Sequence, residues 1–508
     1  MKRKLKLATL SLVTVMLTGV IAGCSSSKTD GNSGATATPA SSTSNATKDP
    51  YEIAIAMPAF GAVPKDTQAV QDEISKITKA KINATVKIIP ISIGAWAQQK
   101  NLMTSGREKL DLSFEFGAGY SSSVATGTLV AIDNLLDKYG DGIKKQIDPA
   151  YLSSVKIEGK TYGVPVYKDY TTGVPGVLMR KDLVDKYKIN IASIKTIDDL
   201  DQVYKTIKEN EPNIAPLGAG LSMPSDVYVW YDKLGDRLGV LPEYDNGLKV
   251  VNLFETKEYE NYLNKVHSWA KAGYINKDAA TTQANASDLL KADKAFSYFI
   301  GLRPGNLESE IRANGKELVY APLMSNIYST TTNTQGGLWT ISVNSTNPER
   351  VMMLMNLMYT DKDLANLFIY GIEGKHYVKA SENSIDYPAG IDSKTVGYSI
   401  QSWIYANPSI AYLMKSDLQD MWKLTAEANQ KAIKSKALGF TFNSEPVKNE
   451  VIALKNVTDQ YAKGLESGTL DPADKLPDFR AKLKAAGIDK VIAEKQKQLD
   501  AWAAANKK

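Results

Sequence analysis

The stretch Tyr51-Glu52-Ile53-Ala54-Ile55-Ala56-Met57 begins the folded part of this sequence. Its run of apolar and β-branched residues predicts a buried strand, and the Pro- and Gly-containing segment 58–64 ends that strand. Asp66 then stands where it can cap a helix whose apolar residues recur every three or four positions. The fold therefore begins with a strand, a loop and a helix.

Two further strands continue this pattern. The sequence predicts a strand over 85–89, a helix near 95–104 and a third strand over 110–116. The order βαβαβ requires crossover helices, so we expect parallel strands in an α/β fold. Ligands bind beyond the carboxyl ends of parallel strands, which makes the loop at Phe60 and the loop over 117–120 the first candidates for a binding cleft.

The amino terminus has the features of a secretory signal. Residues 2–6 include four basic side chains, and the apolar run 7–22 is shorter than the roughly 20 residues that span a bilayer as a helix. Ile21-Ala22-Gly23-Cys24 matches the bacterial lipobox, in which a signal peptidase cuts before a lipid-modified cysteine. We predict a signal peptide over 1–23 and a lipid on Cys24 that anchors the protein on the extracytoplasmic face of the cell membrane. The alternative is an unmodified Cys24 in a signal peptide that is cut elsewhere.

The next segment has the composition of a linker. Residues 25–49 contain no Val, Ile, Leu, Met or aromatic residue. Such a segment cannot bury enough apolar surface to fold, so we expect 24–49 to be a flexible tether with a reach of about 25 to 30 Å. It would hold a globular body close to the membrane.

Charge and scarce residue types exclude several functions. The net charge falls from +5 to +1 without the four basic residues of the signal, and the remaining lysines are interspersed with acids, which argues against nucleic-acid binding. Cys24 is the only cysteine, and the two histidines, His267 and His376, form no HExxH motif. We therefore expect no disulfide, no metal, no cofactor and no catalytic residue, and we expect a monomer.

Aromatic residues recur outside the clear core stripes. Sugars present apolar C–H faces that stack on aromatic rings and hydroxyl groups that pair with charged or amide side chains, so an aromatic cleft suits a carbohydrate. Each of these aromatic residues can equally be structural, and the set as a whole carries the argument. The set consists of Phe60, Trp96, Phe114, Tyr120, Tyr167, Tyr170, Trp230, Tyr231, Trp339 and Trp403.

Two alternative functions stay open at this point. One is a surface enzyme acting on glycosides, because Glu115 and Asp169 are both predicted at strand ends or in loops. A glycosidase needs two carboxylates about 5 to 10 Å apart, a distance that sequence spacing does not give. The other is a lipoprotein that binds a ligand and serves a sensor instead of a transporter.

Several segments, taken in chain order, carry a family resemblance. They are 110–114, Tyr162-Gly163-Val164-Pro165, 176–183, 295–301, Gly337-Leu338-Trp339-Thr340-Ile341 and Asn347-Pro348-Glu349-Arg350. In these the chain resembles the family 1 extracellular solute-binding proteins, the maltose-binding-protein-like receptors of ABC importers. The segments 371–377, 438–440, 446–448 and 484–490 resemble a subgroup of lipoproteins with an extra C-terminal domain of unassigned function.

The resemblance implies a two-lobed α/β fold of the periplasmic-binding-protein type II, with a hinge and a cleft between the lobes. It implies lobe 1 over 50–172 with a return near 322–371, and lobe 2 over 173–321 with about 372–435. A C-terminal extension over 436–508 is expected to pack on the body. The implied function is capture of an oligosaccharide or another carbohydrate and its delivery to the permease subunits and the ATPase of an ABC importer.

The predicted ligand-binding residues combine the cleft positions implied by the resemblance with Tyr120 from the loop aromatics. They are Phe60, Phe114, Glu115, Tyr120, Tyr167, Lys168, Asp169, Trp230, Arg303, Trp339 and Trp403.

Overall fold

The computed structural model describes residues 47–507. The predicted signal peptide, Cys24 and most of the predicted tether lie outside the described residues. The strands are β1 (Tyr51–Ala59), β2 (Ala84–Ser92), β3 (Leu112–Glu115), β4 (Gly163–Pro165), β5 (Val174–Arg180), β6 (Ala215–Leu217), β7 (Tyr231–Asp232), β8 (Leu241–Pro242), β9 (Ala295–Leu302), β10 (Leu318–Pro322), β11 (Tyr328–Ser329), β12 (Leu338–Ile341), β13 (Val378–Lys379), β14 (Ser384–Asp386), β15 (Leu413–Met414) and β16 (Ile433–Lys434).

The helices fill the connections between these strands and the carboxyl terminus. They are α1 (Thr67–Ile82), α2 (Trp96–Ser105), α3 (Gly117–Ala125), α4 (Asp133–Tyr139), α5 (Asp141–Gln146), α6 (Pro149–Ser153), α7 (Lys181–Lys186), α8 (Leu200–Asn210), α9 (Pro224–Val227), α10 (Lys257–Lys271), α11 (Ala286–Lys291), α12 (Asn306–Asn314), α13 (Thr331–Thr334), α14 (Pro348–Thr360), α15 (Lys362–Tyr370), α16 (Met421–Lys431), α17 (Lys448–Glu466), α18 (Pro472–Ala485) and α19 (Ile488–Asn506).

Lobe 1 is built on a five-stranded sheet in the order β2-β1-β3-β12-β4. β1 is parallel to β2 and β3, which confirms the arrangement predicted from the βαβαβ order, and β12 is antiparallel to β3 and β4. The apolar side of α1 is buried, with Val70 and Ile74 fully enclosed. The carboxyl ends of β1, β2 and β3 therefore lie along one edge of the sheet.

The ends of two predicted elements differ from expectation. Asp66 precedes α1 but makes no capping hydrogen bond, because its Oδ2 pairs with His376 Nε2 at 3.0 Å and with Lys375 Nζ at 3.1 Å. The His376 and Lys375 hydrogen bonds hold the pKa of the Asp66 carboxyl below its usual value. The predicted loop over 117–120 is instead the first turn of α3, in which Tyr120 is buried and its hydroxyl donates to the carbonyl of Val155 at 2.8 Å.

Lobe 2 is built on a four-stranded sheet in the order β10-β5-β9-β6. Thr256 caps α10, and its hydroxyl accepts a hydrogen bond from the backbone N–H of Tyr259 at 3.2 Å. The apolar and aromatic residues of this helix recur every three or four positions and form one buried stripe. Its buried members are Tyr259, Tyr262, Leu263, Val266 and Trp269.

The three C-terminal helices pack on lobe 2. Leu454 on α17, Phe479 and Leu483 on α18 and Val491 on α19 are all completely buried members of the same apolar core as α8 and α10. The C-terminal region is therefore a structural part of lobe 2 in the described chain.

Part of the segment predicted for lobe 2 over 372–435 packs on lobe 1. Tyr398, Ile404 and Tyr405 are buried in the core of lobe 1 together with Phe368 of α15. The boundary prediction is corrected here, because apolar side chains of this segment complete the first core instead of the second. α16 follows and lies beside the connections between the lobes, where Asn429 accepts a hydrogen bond from the backbone N–H of Tyr170 at 2.8 Å.

Candidate functional site

Three segments run side by side between the lobes and form a hinge. The first leads from β4 to β5, and its Thr172 N–H donates to the carbonyl of Tyr328 in β11 at 2.8 Å. β11 in turn lies parallel to β16, and the Ser435 N–H donates to the carbonyl of Ser329 at 2.9 Å. Backbone hydrogen bonds thus bind the three crossings to one another while the two cores stay separate.

An aromatic edge lies beyond the carboxyl ends of the lobe 1 strands. We define it as Phe60, Phe116 and Trp403. The rings of Phe60 and Trp403 are 5.0 Å apart between centroids, and Phe60 meets Phe116 edge to face at 6.3 Å. Phe60 is 40% exposed and Trp403 is 41% exposed, which is unusual for large apolar side chains in contact with one another. The edge therefore presents aromatic surface to solvent at the position predicted for a cleft.

The surroundings of the aromatic edge are also apolar and concave. A cavity of about 170 Å³ is lined by Phe60, by neighbouring residues of β1 and β2 and by Tyr398 and Gln401. Val63 and Ile93, on the segments that follow β1 and β2, are 50% and 42% exposed. Exposed apolar side chains clustered at one sheet edge are typical of a ligand surface.

A polar strip lies on the first hinge segment and on the end of β9. We define it as Lys168, Asp169 and Arg303. Asp169 Oδ1 accepts a hydrogen bond from the Thr171 N–H at 2.6 Å, and Oδ2 stands 3.9 Å from Arg303 Nε. Arg303 also donates through Nη2 to the Thr171 carbonyl at 3.0 Å. Burial, followed by the nearby positive charge of Arg303, lowers the pKa of Lys168 to about 8.

The aromatic edge and the polar strip are adjacent. The Tyr167 N–H donates to the carbonyl of Ala406 at 2.8 Å, three residues after Trp403. Gly336 and Gly337 lie between the two groups. Gly336 packs so closely on Lys168 that a Cβ there would collide with Nζ, and Gly337 packs in the same way on the ring of Phe114. Charged side chains therefore begin where the exposed aromatic surface ends.

Sequence reasoning missed Trp422, which belongs to this region. Its ring lies 6.1 Å from that of Tyr167, and its indole N–H is buried without a hydrogen-bond partner among the described residues. The preceding residue, Met421, packs against Gly305, which follows β9 closely. The start of α16 therefore contacts both the hinge and the end of β9. A tryptophan in the first turn of a helix, next to a lysine, was the available signal.

Two of the predicted aromatic residues are core. Phe114 is completely buried and packs edge to face against Phe116 at 5.0 Å and Trp339 at 5.6 Å. Trp339 is also completely buried, and its indole N–H donates to the Ile404 carbonyl at 3.0 Å. Tyr120 on α3 is also completely buried. Phe114, Trp339 and Tyr120 therefore expose no surface to a ligand, and the site prediction is corrected at these three positions.

Glu115 is likewise enclosed and is not part of the cleft surface. It forms a buried ion pair with Lys100 and accepts a hydrogen bond from Ser123 Oγ at 3.0 Å. This corrects its assignment as a ligand-binding residue. It also removes the support for a carboxylate pair, because Glu115 is bonded to Lys100 and Ser123 while Asp169 faces Thr171 and Arg303.

Trp230 lies in lobe 2, where its ring is half-buried. It contacts Tyr231 edge to face at 5.2 Å and Tyr228 at 6.1 Å, and it packs against the second core. Among residues 47–507 its ring contacts are with Tyr228 and Tyr231 and not with the rings of the aromatic edge. Of the predicted residues, the structure therefore brings together Phe60, Tyr167, Lys168, Asp169, Arg303 and Trp403.

Comparison with known proteins decides the family. A family model for bacterial extracellular solute-binding proteins matches residues 72–372, more than half of the chain. The chain belongs to that family. A second model, for a domain of unknown function termed DUF3502, matches residues 436–504 of this solute-binding protein.

Relatives of this solute-binding protein cover nearly the whole chain. A carbohydrate ABC transporter substrate-binding protein of Streptococcus pneumoniae is 29% identical over 452 residues, which is 88% of this chain and 90% of the relative. A crystal structure of an N-glycan transport solute-binding protein of the same species has a TM-score of 0.80 at 28% identity and covers 91% of this chain and 100% of that one. In complex with Man1GlcNAc it has a TM-score of 0.70, covering 89% and 99%.

The described residues contain neither a membrane-spanning helix nor a metal-binding cluster. No helix between residues 47 and 507 has the length and apolar character needed to cross a membrane. Within the same residues, no cluster of three or more His, Asp, Glu or Cys side chains is arranged to hold a metal ion.

Proposed function

We propose that this solute-binding protein captures an oligosaccharide between its two lobes and delivers it to the permease of an ABC importer. A lipid on Cys24 would hold it at the outer face of the membrane, and the tether over 24–49 would let it reach the permease. The protein has no chemistry of its own in this proposal, and Lys168, Asp169 and Arg303 serve as hydrogen-bonding groups for the ligand.

One observation carries the proposal: exposed aromatic rings lie directly beside charged hydrogen-bonding groups at the hinge. A sugar needs both surfaces, since its C–H faces stack on rings and its hydroxyl groups require donors and acceptors. The likeness to an N-glycan transport protein solved with Man1GlcNAc supports the same ligand class. The hinge supports capture by closure, because three crossings that lie side by side can bend while each core stays intact.

The proposal is tested by calorimetry of the purified protein with a panel of oligosaccharides and of peptides of similar size. We expect at least one oligosaccharide, mannose- and GlcNAc-containing glycans included, to bind with a Kd in the micromolar range or below. If peptides bind and no sugar does, the ligand is a peptide and not a carbohydrate. Release of a cleavage product from a labelled oligosaccharide would show that the protein is an enzyme, contrary to this proposal.

Trp403→Ala is expected to weaken oligosaccharide binding about tenfold. Loss of roughly 60 Å² of apolar contact corresponds to about 1.5 kcal/mol, which is close to one order of magnitude in Kd. Calorimetry measures the change, and Ile452→Ala serves as control because Ile452 is an exposed apolar residue on α17. Equal affinity of Trp403→Ala and the unmodified protein would remove the aromatic edge from the ligand site.

Cys24→Ser is expected to move the protein from the membrane fraction to the soluble exported fraction. Serine carries no thiol for the lipid, and a single lipid-bearing residue is the only anchor in this proposal. Fractionation of cells with immunodetection of the protein measures the distribution. A Cys24→Ser protein that stays with the membrane would show that another segment anchors it.

A further inference from the structure

Two polar atoms at the hinge are buried without a partner. Asp169 Oδ2 and Trp422 Nε1 are both enclosed, and neither makes a hydrogen bond within the described residues 47–507. The Asp169 side chain is about nine-tenths buried, and Arg303 Nε, at 3.9 Å from Oδ2, is too far away to donate a hydrogen bond. Because an unpaired polar group in a folded protein costs free energy, these two atoms indicate partners that come from outside the chain.

The two atoms belong to the same part of the hinge. Asn429 of α16 accepts a hydrogen bond from the Tyr170 N–H at 2.8 Å and donates one to the Lys168 carbonyl at 2.9 Å, so it holds the backbone on both sides of Asp169. Trp422, in the first turn of the same helix, has its ring 6.1 Å from that of Tyr167. α16 therefore runs along the hinge segment 167–170 and brings the indole to the polar strip.

The missing partners have a defined chemistry. An indole N–H can only donate a hydrogen bond, and an ionised carboxylate can only accept one. A carboxylate group of a ligand has no proton to give to Asp169, and an apolar group would leave both atoms unpaired. A sugar hydroxyl or an acetamido group can satisfy both, because each carries a donor and an acceptor.

We propose that Trp422 is a ligand-binding residue, and that its indole N–H and Asp169 Oδ2 pair with uncharged groups of the bound sugar that both donate and accept hydrogen bonds. These groups are hydroxyl or acetamido groups, which share this chemistry. The inference rests on the proposed function and adds to it a ligand contact from α16, which the predicted set of site residues lacks. Both atoms lie at the hinge, where we expect opening of the lobes to uncover them and closure around a sugar to enclose them.

Other indoles of the protein show how a structural tryptophan differs. Trp269 is 1% exposed in the core of lobe 2, and its N–H donates to Asp201 Oδ1 at 2.6 Å. The buried Trp339 likewise gives its N–H to the Ile404 carbonyl. Trp422 is only partly buried as a residue, yet its N–H has no acceptor in the described part of the chain.

The test removes the indole N–H and keeps an aromatic ring. Trp422→Phe and the unmodified protein are titrated by calorimetry with Man1GlcNAc, mannotriose and chitotriose. For at least one sugar that binds the unmodified protein, we expect Trp422→Phe to bind about fivefold more weakly, which corresponds to about 1 kcal/mol, the net contribution of one hydrogen bond.

Trp269→Phe is the matched control, because it makes the same chemical change at an indole whose partner is in the protein. It is expected to lower the melting temperature of the ligand-free protein more than Trp422→Phe does and to leave sugar affinity within about twofold, since its lost hydrogen bond belongs to the fold. Trp422→Leu is a second variant, which removes the ring as well, and its loss of affinity should be at least as large as that of Trp422→Phe. A thermal melt without ligand shows that each variant is folded.

The three sugars separate the two sources of the uncharged group. Weaker binding of mannotriose by Trp422→Phe identifies a hydroxyl. Unchanged binding of mannotriose, with weaker binding of Man1GlcNAc or chitotriose, identifies an acetamido group, since only these two sugars carry one.

The remaining outcomes count against the inference. Unchanged affinity of Trp422→Phe or Trp422→Leu for every sugar that binds would overturn it and leave the proposed function standing. A loss of affinity in Trp269→Phe as large as that in Trp422→Phe would also overturn it, because a change in the fold would then account for both. If none of the three sugars binds the unmodified protein, the inference is overturned, and the wider panel of oligosaccharides and peptides decides the proposed function separately.

Discussion

Glu466→Ala is expected to lower the free energy of unfolding by about 3 to 5 kcal/mol. The Glu466 carboxylate, near the end of α17, is almost completely buried and forms a bidentate ion pair with Arg237 of lobe 2. It also accepts hydrogen bonds from Ser225 Oγ at 2.6 Å and from the Tyr259 hydroxyl at 2.9 Å. Its removal leaves a guanidinium and two hydroxyl groups without their acceptor.

The electrostatics of the pair support this magnitude. Burial by itself would lower the pKa of Arg237, and the Glu466 carboxylate more than offsets that effect, so the guanidinium is held firmly charged. An uncompensated buried charge is more costly than the loss of one hydrogen bond, which is about 1 kcal/mol. Glu466→Gln, which retains the shape and one acceptor, is expected to lose less than Glu466→Ala.

Urea denaturation followed by tryptophan fluorescence measures the change, and Glu445→Ala is the matched control. Glu445 pairs with Lys448 at an exposed position, so its loss is expected to change stability by less than about 0.5 kcal/mol. Equal effects of the two substitutions would show that the Glu466–Arg237 pair adds nothing measurable to the attachment of the C-terminal helices to lobe 2. The position of Glu466 would then carry no electrostatic role.

Lys168→Met is expected to stabilise the ligand-free protein by up to about 3 kcal/mol at neutral pH. The lowered pKa of Lys168, about 8 against an ordinary value of 10.5, corresponds to that free energy. Methionine has a similar length and carries no charge into the partly buried position. The substitution should therefore raise stability.

The gain has a defined pH dependence. At and below about pH 7 the ammonium is charged in both the folded and the unfolded chain, so the full penalty for burying it is present. Between about pH 8 and 10.5 the folded protein has released this proton while the unfolded chain still holds it, so the penalty decreases as pH rises. The stability difference between Lys168→Met and the unmodified protein should accordingly be large at pH 7 and small at pH 10.

Urea denaturation at the two pH values tests this, with Lys423→Met as control. Lys423 is exposed on α16, and substitutions at such surface positions usually change stability by less than about 0.5 kcal/mol, so the control difference should stay within that range at both pH values. A Lys168→Met protein less stable than the unmodified one at pH 7 would mean that the ammonium has a partner in the ligand-free state.

Charged groups as well as apolar contacts attach the C-terminal helices to lobe 2. Lys495 of α19 is completely buried and donates to Asp236 Oδ1 at 2.6 Å and to the Gly239 carbonyl at 3.1 Å. Together with Glu466, it ties the region matched by the domain of unknown function to lobe 2 through charged groups. We therefore expect this region to move with lobe 2 when the hinge closes.

The sequence by itself determined the strands and helices that depend on interactions between residues close together in the chain. The apolar runs and crossover spacing predicted the parallel β1, β2 and β3, and Thr256 and Asn347-Pro348 stand at the start of α10 and α14, as their residue types predict. In each case the hydrogen bonds or buried faces join residues within a few turns of one another. Periodicity and capping chemistry report such contacts directly.

Tertiary structure alone decided which aromatic and charged residues belong to the site. Phe60 and Trp403 are similar in sequence context to Phe114 and Trp339, yet the first two are exposed and the other two are completely buried. The difference arises from contacts between residues far apart in the chain, such as those of Trp339 with Ile404. Burial is a property of the assembled core, so it cannot be assigned from the neighbours of a residue in sequence. For the same reason the sequence predicted Lys168 as a cleft residue, and only the fold shows that it lies beside Asp169 and Arg303.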